Sequence, residues 1–321
     1  GVLFTVDGNL TVGEFIAFVS YNSSMAWPVR SLGRIISEMS KAGVSIDRIA
    51  YILDEKEEDD RPGVTKPAIN KDIVFDKVNF KYEEGAAVLK DVSFTVPAGK
   101  TFAILGNTGS GKSTLVHLLN RLYDLPDGCG KITIGGVDIR DIDRQYLRSQ
   151  IGMVLQEPFL YSGSIKENVG ITKESSAFDD IREACEIACV DSAIDSFTDG
   201  YETIVGERGV TLSGGQKQRA AVARALITNP QIVLADEPTG ALDSKASDAL
   251  LKLFGDFNEE GQTILMVTHS TKAASCANRI MFIKDGEVFN QIYRGSMDND
   301  EMFQKISDTL TAMATRGESN E

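Results

Sequence analysis

The apolar positions of this chain follow two patterns that indicate two kinds of β-strand. Residues 73–82 and 88–96 alternate apolar with polar side chains, which is typical of antiparallel strands with one buried face. Residues 131–134 fit the same sheet. Continuous apolar runs indicate strands that are covered on both faces, as in a parallel sheet. These runs lie at 102–105, 151–155, 232–235 and 263–268.

The first part of the chain has a helical pattern of a different character. An apolar opening at 2–6 and a break at 8–11 precede a helix-compatible run at 12–53, so we predict two helices joined by a short turn. Polar residues interrupt this run, and it lacks the roughly 18 apolar residues of a lone membrane span. With a kink at Pro28, it fits a pore-lining helix of a larger bundle. A soluble amphipathic hairpin fits the pattern equally well.

Three further segments complete the predicted organisation. Residues 54–69 are acidic and contain Pro and Gly, which is typical of a linker. A helical lobe is predicted at about 157–212, with its end at 206–211, and a helical tail at 291–321. The apolar stripe of the lobe consists of Ile181, Ala184, Cys185 and Ala188.

The composition narrows the classes of partner. A chain of 321 residues with 25% charged and 42% hydrophobic residues can fold as one large domain with an extension. The net charge of −14 argues against a nucleic-acid partner, because there is no basic surplus to displace counterions. The four cysteines lack CxxC spacing, so we expect reduced thiols in a cytosolic domain. The chain opens without Met, which indicates a fragment.

A buried strand leads into the most specific chemical motif of the chain. The glycines of Gly106-x-x-x-x-Gly111-Lys112-Ser113 let the backbone turn tightly enough for successive N–H groups to point at phosphate oxygens. Apolar residues at helical spacing over 115–122 predict a helix whose N-terminus faces the phosphates. We predict that Lys112 contacts the β- and γ-phosphates and that Ser113 binds Mg²⁺. This phosphate-binding loop, or P-loop, consists of Gly106, Asn107, Thr108, Gly109, Ser110, Gly111, Lys112, Ser113 and Thr114.

A second helix start has the chemistry of an anion site. The predicted helix at 217–227 is preceded by Ser213, Gly214, Gly215 and Gln216. One chain thus carries two candidate γ-phosphate binders but only one complete P-loop. This predicts a dimer in which each ATP lies between the P-loop of one subunit and the Ser-Gly-Gly element of the other.

The other parallel strands also end in polar residues. Asp236 suits Mg²⁺, and the adjacent Glu237 suits polarising the attacking water. His269, one of two histidines, is placed to hold the γ-phosphate. Gln156 can reach Mg²⁺ or the attacking water, although alone it is a weak signal. Tyr82 is either an adenine-stacking side chain or a core aromatic.

Taken in order, these motifs resemble those of ATP-binding-cassette (ABC) ATPases over about residues 70–290. The resemblance implies an α/β P-loop fold of the ABC type, with a mixed sheet core, an antiparallel β subdomain and a helical subdomain. The resemblance also implies that an α-helical remnant of a transmembrane domain precedes this fold. The implied cofactors are ATP and Mg²⁺. The implied partners are a second ABC subunit, in a homo- or heterodimer, and a transmembrane domain in the cell membrane.

The same resemblance gives roles to individual residues. It implies that Tyr82 stacks on adenine and that Asp243 is the D-loop residue at the dimer interface. It also implies that Gln156, Glu237 and His269 act in catalysis. The metal ligands that it implies are Ser113, Gln156 and Asp236.

Two parts of the sequence resemble different subclasses of this family. Residues 1 to about 215, including 8–13 and 156–168, are similar to fused exporters, in which a membrane domain precedes the ATPase. Residues from about 216 on, including 238–243 and 304–310, are similar to ATPases of bacitracin-type antimicrobial-peptide efflux, whose permease is a separate chain. A mosaic, made by recombination or by an assembly join, would explain the change.

Three functions are consistent with this sequence. The first is ATP hydrolysis that drives export of an unidentified substrate, with the ATPase on the cytoplasmic side of the membrane. The second is the ATPase subunit of a peptide efflux system with a separate permease. The third, of another class, is a nucleotide-gated interaction module, although family members of that kind usually carry two cassettes per chain.

Overall fold

The computed structural model of this protein divides into two compact units, residues 1–59 and 60–321. The predicted end of the helical lobe falls largely on residues 207–211, which lie outside the described residues. The structure describes residues 2–83, 85–173, 176–206, 212–240 and 242–318.

The first unit contains the two predicted helices, α1 (Val2–Val6) and α2 (Val12–Leu53). A capping box starts α2: the Thr11 hydroxyl accepts the backbone N–H of Glu14, and the Glu14 carboxylate accepts that of Thr11. Pro28 lies inside α2, and neither helix buries a side chain. Among the described residues, no helix has the length and apolar character needed to cross a membrane.

The second unit is built from strands and helices that alternate along most of its length. The strands are β1 (Ile73–Phe80), β2 (Leu89–Val96), β3 (Thr101–Leu105), β4 (Lys131–Ile134), β5 (Val137–Asp138), β6 (Ile151–Val154), β7 (Gly163–Ser164), β8 (Ile204–Val205), β9 (Ile232–Asp236), β10 (Thr263–Thr268), β11 (Arg279–Lys284) and β12 (Glu287–Tyr293). The helices are α3 (Lys112–Leu119), α4 (Arg144–Ser149), α5 (Ile165–Gly170), α6 (Phe178–Ile187), α7 (Asp191–Asp195), α8 (Gly214–Leu226), α9 (Ser244–Glu259), α10 (Thr271–Ala274) and α11 (Asn299–Glu318).

The strands form the mixed core sheet and the antiparallel sheet that the sequence predicts. The six-stranded sheet has the order β12-β11-β3-β10-β9-β6, in which β12 alone pairs antiparallel among these described strands. The four-stranded sheet, β2-β1-β4-β5, is antiparallel throughout. Two short strands of the helical lobe, β7 and β8, pair antiparallel although α5, α6 and α7 lie between them in sequence.

The register of the core sheet brings the ends of its parallel strands to one edge. Leu105, the last residue of β3, pairs with Thr268, the last residue of β10. Val267 pairs in turn with Asp236 at the end of β9, and β6 pairs with β9 up to Val154. Residues that directly follow these strands therefore emerge side by side, which is where α/β sheets bind ligands.

Stacked aromatic rings join the two large sheets. Phe75 of β1 stacks on Phe94 of β2 with ring centroids 4.4 Å apart, and Phe94 stacks on Phe102 of β3 at 5.3 Å. All three side chains are buried, and each such ring contributes about 1.5–3 kcal/mol by leaving water. The contact holds the antiparallel sheet against the strand that leads into the P-loop. The stripe predicted for the helical lobe is also buried: Ile181, Ala184, Cys185 and Ala188.

The P-loop helix α3 is shorter than the leucine spacing predicts. It ends at Leu119, and Leu122 lies beyond it with 44% of its surface exposed. The reason is Arg121, whose φ of +51° is left-handed and cannot continue a right-handed helix. Its side chain is only 2% exposed because it points into a cluster of carboxylates.

That cluster fixes part of the predicted linker to the P-loop helix. Arg121 contacts Asp60 and Asp124, each at 2.9 Å. Arg144 contacts Asp124 at 2.6 Å, and its backbone N–H donates to Asp60 at 2.8 Å. Burial acts to raise the pKa of Asp60, but the hydrogen bonds and charges of Arg144 and Arg121 outweigh it and hold the pKa below its usual value. Asp60 is thus an integral part of the fold.

Replacing the central cation of this cluster should destabilise the second unit strongly. Arg121→Met keeps much of the apolar volume but removes one of the two arginines that Asp60 and Asp124 share and leaves only Arg144, which we expect to cost about 3–5 kcal/mol. Lys166→Met is the matched control, because Lys166 pairs with Glu202 at 3.1 Å on the surface, where the loss is about 0–1 kcal/mol. Urea unfolding of both variants measures the difference, and equal midpoints would contradict the assignment.

Candidate nucleotide site

The P-loop has the backbone conformation that its glycines predict. Gly111 has a φ of +96° and is the N-cap of α3, and Gly109 has a φ of +82°. Only glycine adopts such values without strain. The first N–H groups of α3 have no partner within the helix, so they and the helix dipole face the loop as an anion site.

Gly106 is required for a different reason, namely the close approach of a neighbouring strand. A Cβ at this position would lie 2.3 Å from the carbonyl oxygen of Ile283 and 2.7 Å from the hydroxyl oxygen of Ser110. Ile283 belongs to β11, which pairs with β3. The first residue of the P-loop therefore packs directly against the backbone of β11, which leaves no room for a side chain.

The Lys112 side chain folds back across the P-loop. Its ammonium donates to the carbonyl oxygens of Gly106 and Asn107, both at 2.9 Å. Burial lowers the pKa of Lys112, while the charges of Glu237 and Asp236 act against that shift. Lys112 is thus a partly desolvated cation whose charge interacts with the carboxylates of Glu237 and Asp236.

Asp236 and Ser113 form a pair of oxygen donors that fits Mg²⁺. Burial is the main cause that raises the pKa of Asp236, and the neighbouring Glu237 carboxylate adds to it. A hydrogen bond from Ser113 and the positive charges of His117 and Lys112 oppose the rise. Oδ1 of Asp236 is buried and has no hydrogen-bond partner among the described residues. Hard oxygen ligands of this kind are those that Mg²⁺ prefers.

Glu237 follows β9 in a strained conformation. Its φ of +49° is unusual for a residue other than glycine, and its backbone N–H donates to the carbonyl of Val267 at 2.8 Å. Oε2 of Glu237 lies 2.9 Å from Nδ1 of His269. The Glu237 side chain is 8% exposed, whereas that of His269 is 71% exposed, so the histidine is the partner that is free to move.

Tyr82 is held at the edge of the site by its hydroxyl. The hydroxyl lies 3.0 Å from that of Thr114, on the P-loop helix. The Tyr82 ring meets Phe80 and Tyr123 edge-on, with centroids 5.1 Å and 5.0 Å away. Tyr82 is half-buried, and part of it remains available to a ligand.

Most of the predicted site residues surround one cavity of about 430 Å³. Gly106 and Asn107 line an adjoining cavity together with His269. A larger cleft of about 770 Å³ lies between α6, α8 and α9, but none of its lining residues is a predicted site residue. The predicted residues around the first cavity are Tyr82, Thr108, Gly109, Gly111, Lys112, Ser113, Thr114, Gln156, Asp236, Glu237 and His269.

Ser110 is buried within the P-loop and lines neither of these two cavities, and its hydroxyl has no hydrogen-bond partner among the described residues. The other predicted residues lie at the starts of two helices and do not line the first cavity. Ser213 and Gln216 form the capping box of α8, which begins at Gly214 rather than at the predicted residue 217. Ser213 and Gly214 are exposed, and Gly215 is half-buried. Asp243 caps α9 by accepting the N–H of Ala246 at 2.8 Å.

The sequence analysis missed Thr268. Its hydroxyl donates to Oε2 of Glu237 at 3.2 Å, and the residue is fully buried. The available signal was its position, because Thr268 is a polar residue at the inner end of an apolar run, directly before His269.

Comparison with known proteins agrees with the geometry of the site. Residues 89–240 match the family model described as ABC transporter. This segment contains the P-loop, the start of α8 and the paired carboxylates. The chain therefore carries an ABC transporter ATP-binding domain, and the domain class is that of an ATPase.

Similar proteins are longer than this chain. It is 40% identical over 288 residues to a Bacillus subtilis protein named for multidrug export as an ATP-binding/permease protein, covering 89% of this chain and 49% of the relative. It is 35% identical to an exotoxin translocation ATP-binding protein of Pasteurella aerogenes, covering 90% of this chain and 40% of the relative. The chain thus spans about half of these relatives or less.

A solved structure is similar to most of the chain. It is a bacterial Atm1-family ABC exporter with ATP bound, with a TM-score of 0.73 and 30% identity. The match covers 93% of this chain and 53% of that one.

The close contact between Gly106 and the backbone of Ile283 leads to a test of the site. Gly106→Ala must displace either the Ile283 carbonyl or the loop, at a cost of about 1–3 kcal/mol, so ATP affinity should fall roughly 5- to 150-fold. Gly255→Ala, in α9 with open space around the added carbon, should leave ATP affinity unchanged. Titration with a fluorescent ATP analogue measures both variants. Equal ATP affinities of the two variants would show that the contact with Ile283 does not shape the binding loop.

Proposed function

We propose that this chain is the ATP-hydrolysing part of an ABC exporter, with the ATPase on the cytoplasmic side of a cell membrane. The observation that carries the proposal is the single cavity that collects Lys112, the Ser113–Asp236 pair and Glu237. The similarity to ATP-binding/permease proteins over most of the chain supports an exporter. The exported substrate is left unassigned.

The P-loop residues bind the phosphates of ATP. The N–H groups of the loop and of the start of α3 receive the phosphate oxygens, and Lys112 exchanges its two carbonyl contacts for the β- and γ-phosphates. Desolvation makes the Lys112 ammonium a stronger electrostatic partner than an exposed lysine. Tyr82, at the edge of the same cavity, stacks on the adenine ring.

Ser113, Asp236 and Gln156 are the residues that would hold Mg²⁺. All three line the cavity, and the Asp236 oxygen without a partner is available as a ligand, directly or through water. When bound, Mg²⁺ neutralises charge on the β- and γ-phosphates.

Glu237 is the general base that accepts a proton from the attacking water. Its carboxylate lies beside the phosphate-binding residues and is largely withdrawn from solvent, which strengthens its interactions. His269 moves from Glu237 to the γ-phosphate when ATP is bound, since its side chain is exposed and free to rotate.

Removing the base should separate binding from hydrolysis. Glu237→Gln keeps the size of the side chain, so the variant should bind Mg-ATP and accumulate a closed dimer. Turnover should fall about 100-fold or more, because the amide cannot accept the proton. Size-exclusion chromatography with ATP detects the dimer, and phosphate release measures turnover. Unchanged turnover would remove Glu237 from this role.

The Ser-Gly-Gly element completes the site from a second subunit. Ser213 and Gly214 are exposed at the positive end of α8, yet they do not line the cavity of their own chain. A partner in head-to-tail orientation would supply them to the γ-phosphate. Asp243, at the start of α9, lies at the same dimer interface in this proposal.

Mixing two inactive variants tests this composite site. Lys112→Ala destroys the P-loop, and Ser213→Arg blocks the element that acts in trans. A mixed dimer of the two retains one intact site, so it should trap ATP after vanadate treatment, whereas each variant alone should not. If the mixture traps no more nucleotide than either variant alone, the site does not form between subunits.

The membrane assignment rests on residues 1–53 as the end of a transmembrane domain. In the alternative, residues 238–243 and 304–310 identify the ATPase of a bacitracin-type system with a separate permease. The relatives named as ATP-binding/permease proteins align across both halves and favour the fused exporter. One long sequencing read across the region that encodes residues 200–240 tests whether the mosaic is an assembly join, because a continuous read would remove that explanation. Membrane fractionation of the full-length protein distinguishes the two transport functions from the nucleotide-gated interaction module. A wholly soluble, active protein would favour the interaction module.

A further inference from the structure

The carboxylate of Glu237 receives all its described hydrogen bonds on one oxygen. Oε2 accepts from the Thr268 hydroxyl at 3.2 Å and from the backbone N–H of His269 at 3.2 Å. It also contacts Nδ1 of His269 at 2.9 Å. Among the described residues, Oε1 has no partner, and Glu237 lines the cavity. The two oxygens of this carboxylate are therefore in different environments.

The direction of the Thr268 hydrogen bond follows from its second contact. The backbone N–H of Ser270 donates to the Thr268 hydroxyl oxygen at 3.0 Å. A hydroxyl carries one proton, and a carboxylate is the better acceptor, so this proton points at Glu237. Thr268 thus connects the turn after β10 to the carboxylate through two hydrogen bonds.

Thr268 differs from the other side-chain partner of Glu237 in its rigidity. The His269 side chain is 71% exposed and can leave, whereas Thr268 is fully buried at the end of β10. Its strand lies between β3 and β9, and Thr268 pairs with Leu105, directly before the P-loop. The hydroxyl is therefore held in a fixed position relative to the phosphate-binding loop.

We propose that Thr268 is a positioning residue for hydrolysis. Its hydroxyl anchors Oε2 of Glu237 to the core sheet and turns Oε1 toward the cavity, where it accepts the proton of the attacking water. The anchor persists when His269 moves to the γ-phosphate. This inference rests on the proposed role of Glu237 as the base.

Isosteric replacement of Thr268 in the full chain separates the hydroxyl from the shape of the side chain. Thr268→Val keeps the volume and removes the hydroxyl, whereas Thr268→Ser keeps the hydroxyl. We expect Val to lower kcat about 10- to 100-fold, with KM for Mg-ATP changed less than about twofold, because the base is misaligned while the phosphate site is intact. Ser should restore kcat to within about threefold of the original chain.

Other roles of Thr268 would give different results in these assays. If Val retains kcat, or if Ser loses as much activity as Val, Thr268 does not position the base. A parallel rise of KM would show a general disturbance of the site. Unfolding midpoints and ATP affinity are measured for each variant, and Thr268→Ala provides a second hydroxyl-free variant if Val does not fold.

A double variant distinguishes this inference from the proposed function. Thr268→Val in the Glu237→Gln background should cause no further loss of turnover, because both changes act through one carboxylate. Full additivity of the two losses would overturn the positioning role. If Glu237→Gln alone retains turnover, the proposed base is wrong. If Glu237→Gln loses turnover and Thr268→Val does not, this inference alone fails.

Discussion

The parallel register of β3, β10 and β9 is the constraint on which the site depends. It places Leu105, Thr268 and Asp236 at one edge of the sheet, so that chemistry contributed by distant segments meets within one cavity. These three strands are buried at every residue, and their backbone hydrogen bonds fix these positions more tightly than loops alone could. A slip of one pair would move the carboxylates away from the P-loop.

Electrostatic balance is the second requirement, because the sheet edge gathers charge out of water. Burial lowers the pKa of Lys112, and the charges of Glu237 and Asp236 act against that shift. Burial is also the main cause that raises the pKa of Asp236, and the neighbouring carboxylate of Glu237 adds to the rise. The two carboxylates together therefore favour the binding of further positive charge beside the phosphate loop. A divalent ion that binds together with an anionic ligand would supply that charge.

Local patterns in the sequence were sufficient for most of the fold. Apolar runs and alternation located seven of the described strands, and the glycine spacing located the phosphate loop, but β11 and β12 of the core sheet were not predicted. The end of α3 was not predictable, because apolar spacing continues to Leu122 while Arg121 turns into a charge cluster formed with Asp60, far away in sequence. Thr268 was missed for a similar reason, since its role depends on a carboxylate supplied by another strand. Roles that arise from tertiary contacts leave no periodic signal.

The helix α3 lies between two parts of the second unit: the P-loop precedes it, and the Arg121 cluster follows it. One end of the helix points its free N–H groups at the P-loop, and the other is fastened through Arg121 to Asp60, where the second unit begins. An eight-residue helix is about 12 Å long and stiff along its axis. A short, rigid helix therefore fixes the distance between the phosphate loop and the residue at which the second unit begins.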